Sequence, residues 1–242
     1  AGALVAHLDD TQLQRVLDTE HGGMNEVLAD VYAITGERRY LALARRFSHR
    51  AILDPLLRRE DRLDGLHANT QIPKVIGFAR IGELDDEPAW IEAARFFWET
   101  VALRRSVAFG GNSVREHFHP ADDFAPMLAS REGPETCNSY NMLRLTALLH
   151  RLRPQPRHVE FYERALFNHI LSTQHPEHGG LVYFTPIRSR HYRVYSQPEQ
   201  CFWCCVGTGM ENHGRHGAFI YARGDDALAV NLYIASTLQW PE

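Results

Sequence analysis

Apolar positions along most of the chain recur every three or four residues, the spacing of amphipathic helices. The pattern predicts a helix from Asp10, a capping residue, to about Asp18, and another from Asn25 to Ile34, stopped by Gly36. Residues 38–52 place Tyr40, Leu43, Ala44, Phe47 and Ile52 on one face and read as a single helix. A helix over 66–82 follows, with Pro73 near its first turn, then one over 88–104. Pro88 suits the first turn of the latter, and Ile91, Ala94, Phe97 and Trp98 form its apolar face. Further helices are expected over about 137–152, 158–173 and 208–221. Aromatic and β-branched residues among turn formers over 179–196 suggest a short hairpin. Gly224-Asp225 introduces ALAVNLYIAST, a strand-like stretch. The expected class is therefore mainly α, with a helical domain over 1–223 and the first strand of a β domain over 224–242.

A faint internal echo adds architecture. Tyr32–Phe47 (YAITGERRYLALARRF) and Ala79–Phe97 (ARIGELDDEPAWIEAARFF) each end a helix at Gly-Glu and start the next on an aromatic residue. A partial third copy is FYERALFNHIL at 161–171. Repeated helical hairpins build solenoids or closed toroids. Residues 106–134 interrupt the pattern with Gly110-Gly111, Pro120, Pro126 and Pro134, and a loop of that length in a compact domain is usually functional.

Composition narrows the chemistry. The 242 residues are 44% hydrophobic, enough to bury a sizeable core. A net charge of −4 argues against nucleic-acid binding, and no apolar run reaches the length of a membrane span. The chain opens on Ala1 without a signal-like segment, as expected of a processed or excised piece. The compartment is left open between cytoplasm and periplasm or secretion, and the oligomeric state is likewise open.

Four cysteines are too few for a disulfide scaffold, but three cluster as Cys201, Cys204 and Cys205. Cys201 and Cys204 have metal-ligand spacing. Adjacent Cys204 and Cys205 diverge on a regular helix or strand, so sharing one ion calls for an irregular turn, which Gly207 and Gly209 permit. Glu135 and Cys137 offer a carboxylate and a thiolate that share a face in extended chain before a helix. The alternative is a set of buried, inert thiols. Of fourteen histidines, those at 21, 67, 117, 119, 213 and 216 sit in polar or glycine-rich contexts.

These segments resemble a known family. GGNSVREHF (110–118), PETCNSYNMLRLT (134–146) and CCVGTGMENHGRHG (204–217) are similar to signature stretches of the bacterial β-L-arabinofuranosidases of glycoside hydrolase families 127 and 146. HGGMNEVLADVYAI (21–34) and HANTQ (67–71) fit the same pattern. The resemblance implies an (α/α)6 toroid followed by β domains. The eight or so helices expected here would make an incomplete toroid. It also implies Zn2+ held by Glu135, Cys137, Cys204 and Cys205, with Cys204 as nucleophile and Glu116 as general acid/base. The substrate class it implies is an arabinose-containing oligosaccharide or glycan, with His21, His67 and His119 as candidate sugar contacts. Cys201 has no place in that pattern and stands as an alternative to Glu135, in a four-cysteine structural site. Rival readings are a non-catalytic helical domain with structural zinc, an epimerase or lyase on a helical toroid, and a Cys-His hydrolase.

Overall fold

The computed structural model describes residues 2–19 and 21–239, so Glu20, Ala1 of the expected helical domain and residues 240–242 of the expected β domain lie outside it. Two helices lead in, α1 (Gly2–Val5) and α2 (Asp10–Thr19). Then come three helical hairpins. The first pairs α3 (Met24–Thr35) with α4 (Arg38–Arg46), and α5 (Arg50–Leu57) follows it. The second pairs α6 (Ala68–Leu84) with α7 (Pro88–Glu99), which runs on through a π turn to Arg105. A long loop containing α8 (Ala125–Ala129) leads to the third, α9 (Thr136–Leu152) with α10 (Pro156–Ala165). The chain then passes through α11 (Cys204–Arg215) and α12 (Gly217–Ile220) into strands β1 (Tyr221–Arg223) and β2 (Leu228–Val230).

The hairpins stack as the internal echo suggests. α3, α6, α9 and α11 lie side by side in one layer. In the second layer α4 covers α3 and α6, α7 covers α6 and α9, and α10 covers α9. The mainly α class holds, and the core runs between the layers, with Ile72, Phe78, Phe97, Trp98, Leu145 and Phe161 sealed in it. α6 sits centrally and is buried nearly all round, as a helix packed on several sides must be. Gly77 permits the close approach of α3, because a Cβ there would overlap the Asn25 side chain. No helix of the described residues is long and apolar enough to cross a membrane.

Four boundaries differ from the periodicity. The helix expected over 38–52 is broken between α4 and α5. Gln14 of α2 donates to the Ser48 carbonyl at 3.1 Å and accepts from the Arg50 N–H at 2.8 Å, so a side chain satisfies the peptide groups of the break. Pro73 is the sixth residue of α6, in its interior, and leaves one helical hydrogen bond unmade. α11 begins at Cys204 rather than near 208. Its glycines do not make a turn: Gly209 is helical and packs on Leu181, which a Cβ would approach to 2.7 Å. The hairpin expected over 179–196 is reduced to single pairings, such as Val182 with Tyr195. At the far end β1 and β2 pair antiparallel, Tyr221 opposite Val230, so this sheet straddles the boundary at 223/224.

Candidate active site

Two helices aim their N-termini at one point. Glu135 is the extended N-cap residue of α9, and Cys137 lies in the first turn of that helix. Cys204 and Cys205 are the first two residues of α11. Cα–Cβ bonds tilt toward a helix N-terminus, so first-turn side chains converge on a site lying along the axis. That is why adjacent cysteines share one site without the irregular turn expected of them.

The four ligand atoms lie within 4.8 Å of one another. Cys137 Sγ is 3.3 Å from Cys205 Sγ, which is 4.0 Å from Cys204 Sγ. Glu135 Oε1 lies 3.9 Å from Cys204 Sγ and 3.7 Å from Cys205 Sγ. Sulfurs around a tetrahedral zinc with bonds of about 2.3 Å stand roughly 3.8 Å apart, so the spacing fits a metal. Glu135 Oε2 is buried without a hydrogen-bond partner. Such an orphan costs free energy unless something positive meets it. Cys201 stays outside the cluster, so the carboxylate and not a fourth thiol completes the set.

Electrostatics singles out one cysteine. Burial, reinforced by the Cys204 charge, pushes the Glu135 carboxyl up to about 8. Hydrogen bonds from the Cys137 and Cys205 thiols pull Cys204 far below the usual thiol range. The same bonds, with burial, push Cys137 and Cys205 up. Within the cluster the Cys204 thiol is thus the one drawn toward ionisation. This sulfur is also the accessible one: Cys204 is exposed, while Cys137 and Cys205 are fully buried.

The loop over 106–134 carries Glu116 to this cluster. Its entry turn needs glycine at 110, where φ is +89° and a Cβ would press on Ala165 at 2.8 Å. Arg105 then anchors the return strand: it donates to the His119 carbonyl and pairs with Asp61 and Asp64 at 2.6 Å each. Between these anchors Arg115 and Glu116 both adopt positive φ, 48° and 67°. Two consecutive non-glycine residues in the left-handed region store backbone strain, which persists where the surroundings enforce it. Asn138 of α9 donates to the Ser113 hydroxyl at 2.6 Å and locks the loop beside Cys137. Glu116 ends half-buried, with its charge felt at Glu135.

Tyr183 joins the two halves. Its hydroxyl donates to Glu116 Oε1 and faces the Cys204 sulfur. Backbone pairing fixes it: Glu135 bridges Phe184, and the Thr136 N–H donates to the Tyr183 carbonyl at 3.0 Å. Nothing in the local sequence marks Tyr183 as more than a strand residue, and only the fold brings it here. His67 is the N-cap of α6, with Nε2 3.7 Å from Glu116 Oε2. His21 sits edge-on to His67 with ring centres 5.8 Å apart. His119 needs correction. It is buried, its two ring nitrogens face the Pro120 and Arg105 carbonyls, and Phe124 covers its ring, so no sugar can reach it. Its neighbour His117 is exposed instead, 5.2 Å from the His67 ring. The two histidines stand two residues apart, so alternation does not separate them; what does is Arg105, which holds the His119 carbonyl and draws that end of the segment inward.

Comparison with known proteins gives the family. The profile of the β-L-arabinofuranosidase GH127 catalytic domain matches residues 1–218. The chain belongs to this family. A solved GH127 β-arabinofuranosidase superposes with TM-score 0.67 at 20% identity, covering 88% of this chain and 35% of its own. A GH127 β-L-arabinofuranosidase from Geobacillus stearothermophilus T6 gives TM-score 0.68 at 21% identity, covering 88% and 40%. A further glycoside hydrolase gives 0.64 at 16% identity, covering 86% and 40%. The chain thus spans 35 to 40% of the length of these structures and shares the fold of their helical part. No curated protein matches it by sequence. Its Glu-Cys-Cys-Cys cluster is fit to hold a metal.

Proposed function

We propose that this chain carries the reacting centre of a retaining β-L-arabinofuranosidase, with Cys204 as nucleophile and Glu116 as general acid/base. The observation that carries the reading is the exposed Cys204 sulfur, linked through the Tyr183 hydroxyl to Glu116. A closed structural metal site has no use for such a carboxylate. An epimerase or lyase has no use for converging thiols.

Glu135, Cys137, Cys204 and Cys205 would hold zinc, a reading supported by their spacing and by the orphaned Glu135 oxygen. Bound there, zinc keeps its coordinating thiols deprotonated. The chain's own groups then carry the steps. The Cys204 sulfur attacks the anomeric carbon while Glu116 gives its proton to the departing glycosidic oxygen. The carbon–oxygen bond breaks and a thioglycosyl-enzyme forms on Cys204. Glu116, now a carboxylate, takes a proton from water. That water displaces the sulfur and releases arabinose with retained configuration. Tyr183 orients the Glu116 carboxyl. His21, His67 and His117 line the approach as donors to sugar hydroxyls. In this reading residues 1–223 hold the chemistry and the segment from 224 opens a β domain.

The test is Glu116→Gln with an aryl β-L-arabinofuranoside. An aryl leaving group needs little acid help, so the first step proceeds, whereas the second lacks its base. Mass spectrometry is expected to find a pentosyl adduct on the peptide containing Cys204. An unmodified peptide from a folded, zinc-loaded variant that still turns over rejects covalent catalysis here. An adduct on Cys205 reverses the assignment within the pair.

A further inference from the structure

Beside the reacting centre lies a second cavity, of about 420 Å³, which the mechanism above does not use. Its floor and walls are aromatic and apolar: Tyr183, Phe184, Tyr192, Val194 and Trp203. Arg131, Glu132 and His191 supply a polar rim. The cavity is continuous with the chemistry at two points. Tyr183 lines it with its ring while its hydroxyl donates to Glu116. Trp203, edge-on to Tyr183 at 6.0 Å, immediately precedes Cys204. On the loop side the Arg115 N–H donates to the Glu132 carbonyl at 2.9 Å, so the rim is tied to the segment that presents Glu116. Tyr192 and Val194 stand 74% and 57% exposed, more than a surface loop gains from leaving apolar groups in water.

We infer that this cavity is the leaving-group subsite, taking a sugar ring that lays an apolar C–H face against Tyr192 and Trp203 while its hydroxyls meet the rim. The inference rests on the glycosidase reading. The general acid must lie on the leaving-group side of the scissile bond. Tyr183 reaches both Glu116 and Cys204, but the rim residue Glu132 accepts from the Arg115 N–H, on the loop that presents Glu116, which puts the rim on the acid's side. Aromatic rings favour flat C–H faces, and charged rim groups favour hydroxyls, which together describe a sugar better than a purely apolar ligand. The volume accommodates one or two sugar units, so the site reads the residue next to the arabinose that is removed.

The experiment compares two substrates on the zinc-loaded protein: methyl β-L-arabinofuranoside, whose leaving group is too small to reach the cavity, and a β-L-arabinofuranosyl disaccharide. For Tyr192→Ala the ratio of kcat/KM for the disaccharide to that for the methyl glycoside is expected to fall about five- to tenfold, the loss of one stacking face. Tyr192→Phe keeps the ring and should keep the ratio. An unchanged ratio in Tyr192→Ala overturns the subsite. So does an equal fall for both substrates, which would mean that the loop only supports the fold. A wild type that cleaves neither substrate removes the glycosidase reading instead, and the subsite with it.

Discussion

Lowering the pH from 7 to 5 should destabilise this protein through His169 in particular. The imidazole is fully buried, with Nδ1 2.7 Å from the Ser139 hydroxyl and Nε2 3.1 Å from Thr185 Oγ1. Burial, with a smaller push from Arg193, lowers its pKa from 6.5 to about 3. The folded protein therefore keeps it neutral where the unfolded chain protonates it. Stability from a depressed histidine is complete above the unfolded value and drains away as pH falls toward the folded one. At pH 5, about 1.5 pH units below the free value, proton uptake favours the unfolded chain by about 2 kcal/mol. By pH 3 the loss approaches a ceiling of about 5 kcal/mol. The check is urea unfolding followed by tryptophan fluorescence at pH 7, 6 and 5, on the wild type and on His169→Gln. The variant should be weaker at pH 7, because it leaves Ser139 without its partner. Its loss between pH 7 and 5 should be smaller than that of the wild type by about 2 kcal/mol. Metal release in acid affects both proteins alike and cancels in the difference. Equal pH dependence in the two would refute the argument. The site has a stake in the outcome, since His169 clamps α9, which carries Cys137, to the segment that carries Tyr183.

Three further outcomes follow from the site. Cys204→Ser should abolish hydrolysis of an aryl β-L-arabinofuranoside, a loss of at least ~10³-fold, because a serine hydroxyl is a poor nucleophile; residual turnover above a hundredth of wild type would exclude Cys204 as nucleophile. Chelation should lower the melting temperature and zinc should restore it, with about one ion bound per chain by elemental analysis, whereas a melting curve indifferent to chelator would speak against metal in this cluster. Tyr183→Phe removes the hydroxyl that orients Glu116 and should lower kcat roughly ten- to a hundredfold with a displaced acid limb in the pH–rate profile; an unshifted profile would confine Tyr183 to packing.

The metal cluster was legible in sequence because its chemistry is local. Cys204 and Cys205 are adjacent, Glu135 and Cys137 are two apart, and thiolates with a carboxylate suggest zinc wherever the fold lets them meet. Which of Glu135 and Cys201 completes the set was not legible, because it depends on how α9 and α11 cross. The helical hairpins were visible as an apolar period, but their ends were not where a side chain from elsewhere closes the backbone, as Gln14 does at Ser48 and Arg50. His119 misled for a related reason. A histidine in a loop rich in prolines and charges looks available, yet Arg105 holds the His119 carbonyl, draws the segment inward and buries the ring. Lys74, the sole lysine, is hidden in the same way. Its Nζ donates to the Leu17 carbonyl at 2.9 Å and to His49 Nδ1 at 2.8 Å, an anchor between α2 and α6 that no spacing rule announces.

The fold and the chemistry meet in the direction of two helices. α9 and α11 both present their positive ends, so the point between them favours negative charge before any ligand arrives. The protein fills that point with three thiols and a carboxyl, and the charges that raise Glu135 are those of Cys204 and Glu116, both negative. Each helix end offers at most about 1–2 kcal/mol, enough to favour one thiolate but not several packed within van der Waals contact. Hence the cluster draws Cys204 toward ionisation and pushes Cys137 and Cys205 the other way. A divalent cation held by Glu135, Cys137, Cys204 and Cys205 would change the balance, since its charge would favour their ionised forms. The buried members then serve as a rigid base, and the exposed one projects toward Tyr183 and Glu116. In the proposed mechanism the one exposed member of the cluster is the one that reacts, and the loop strained at Arg115 and Glu116 is what brings a carboxyl to the same side.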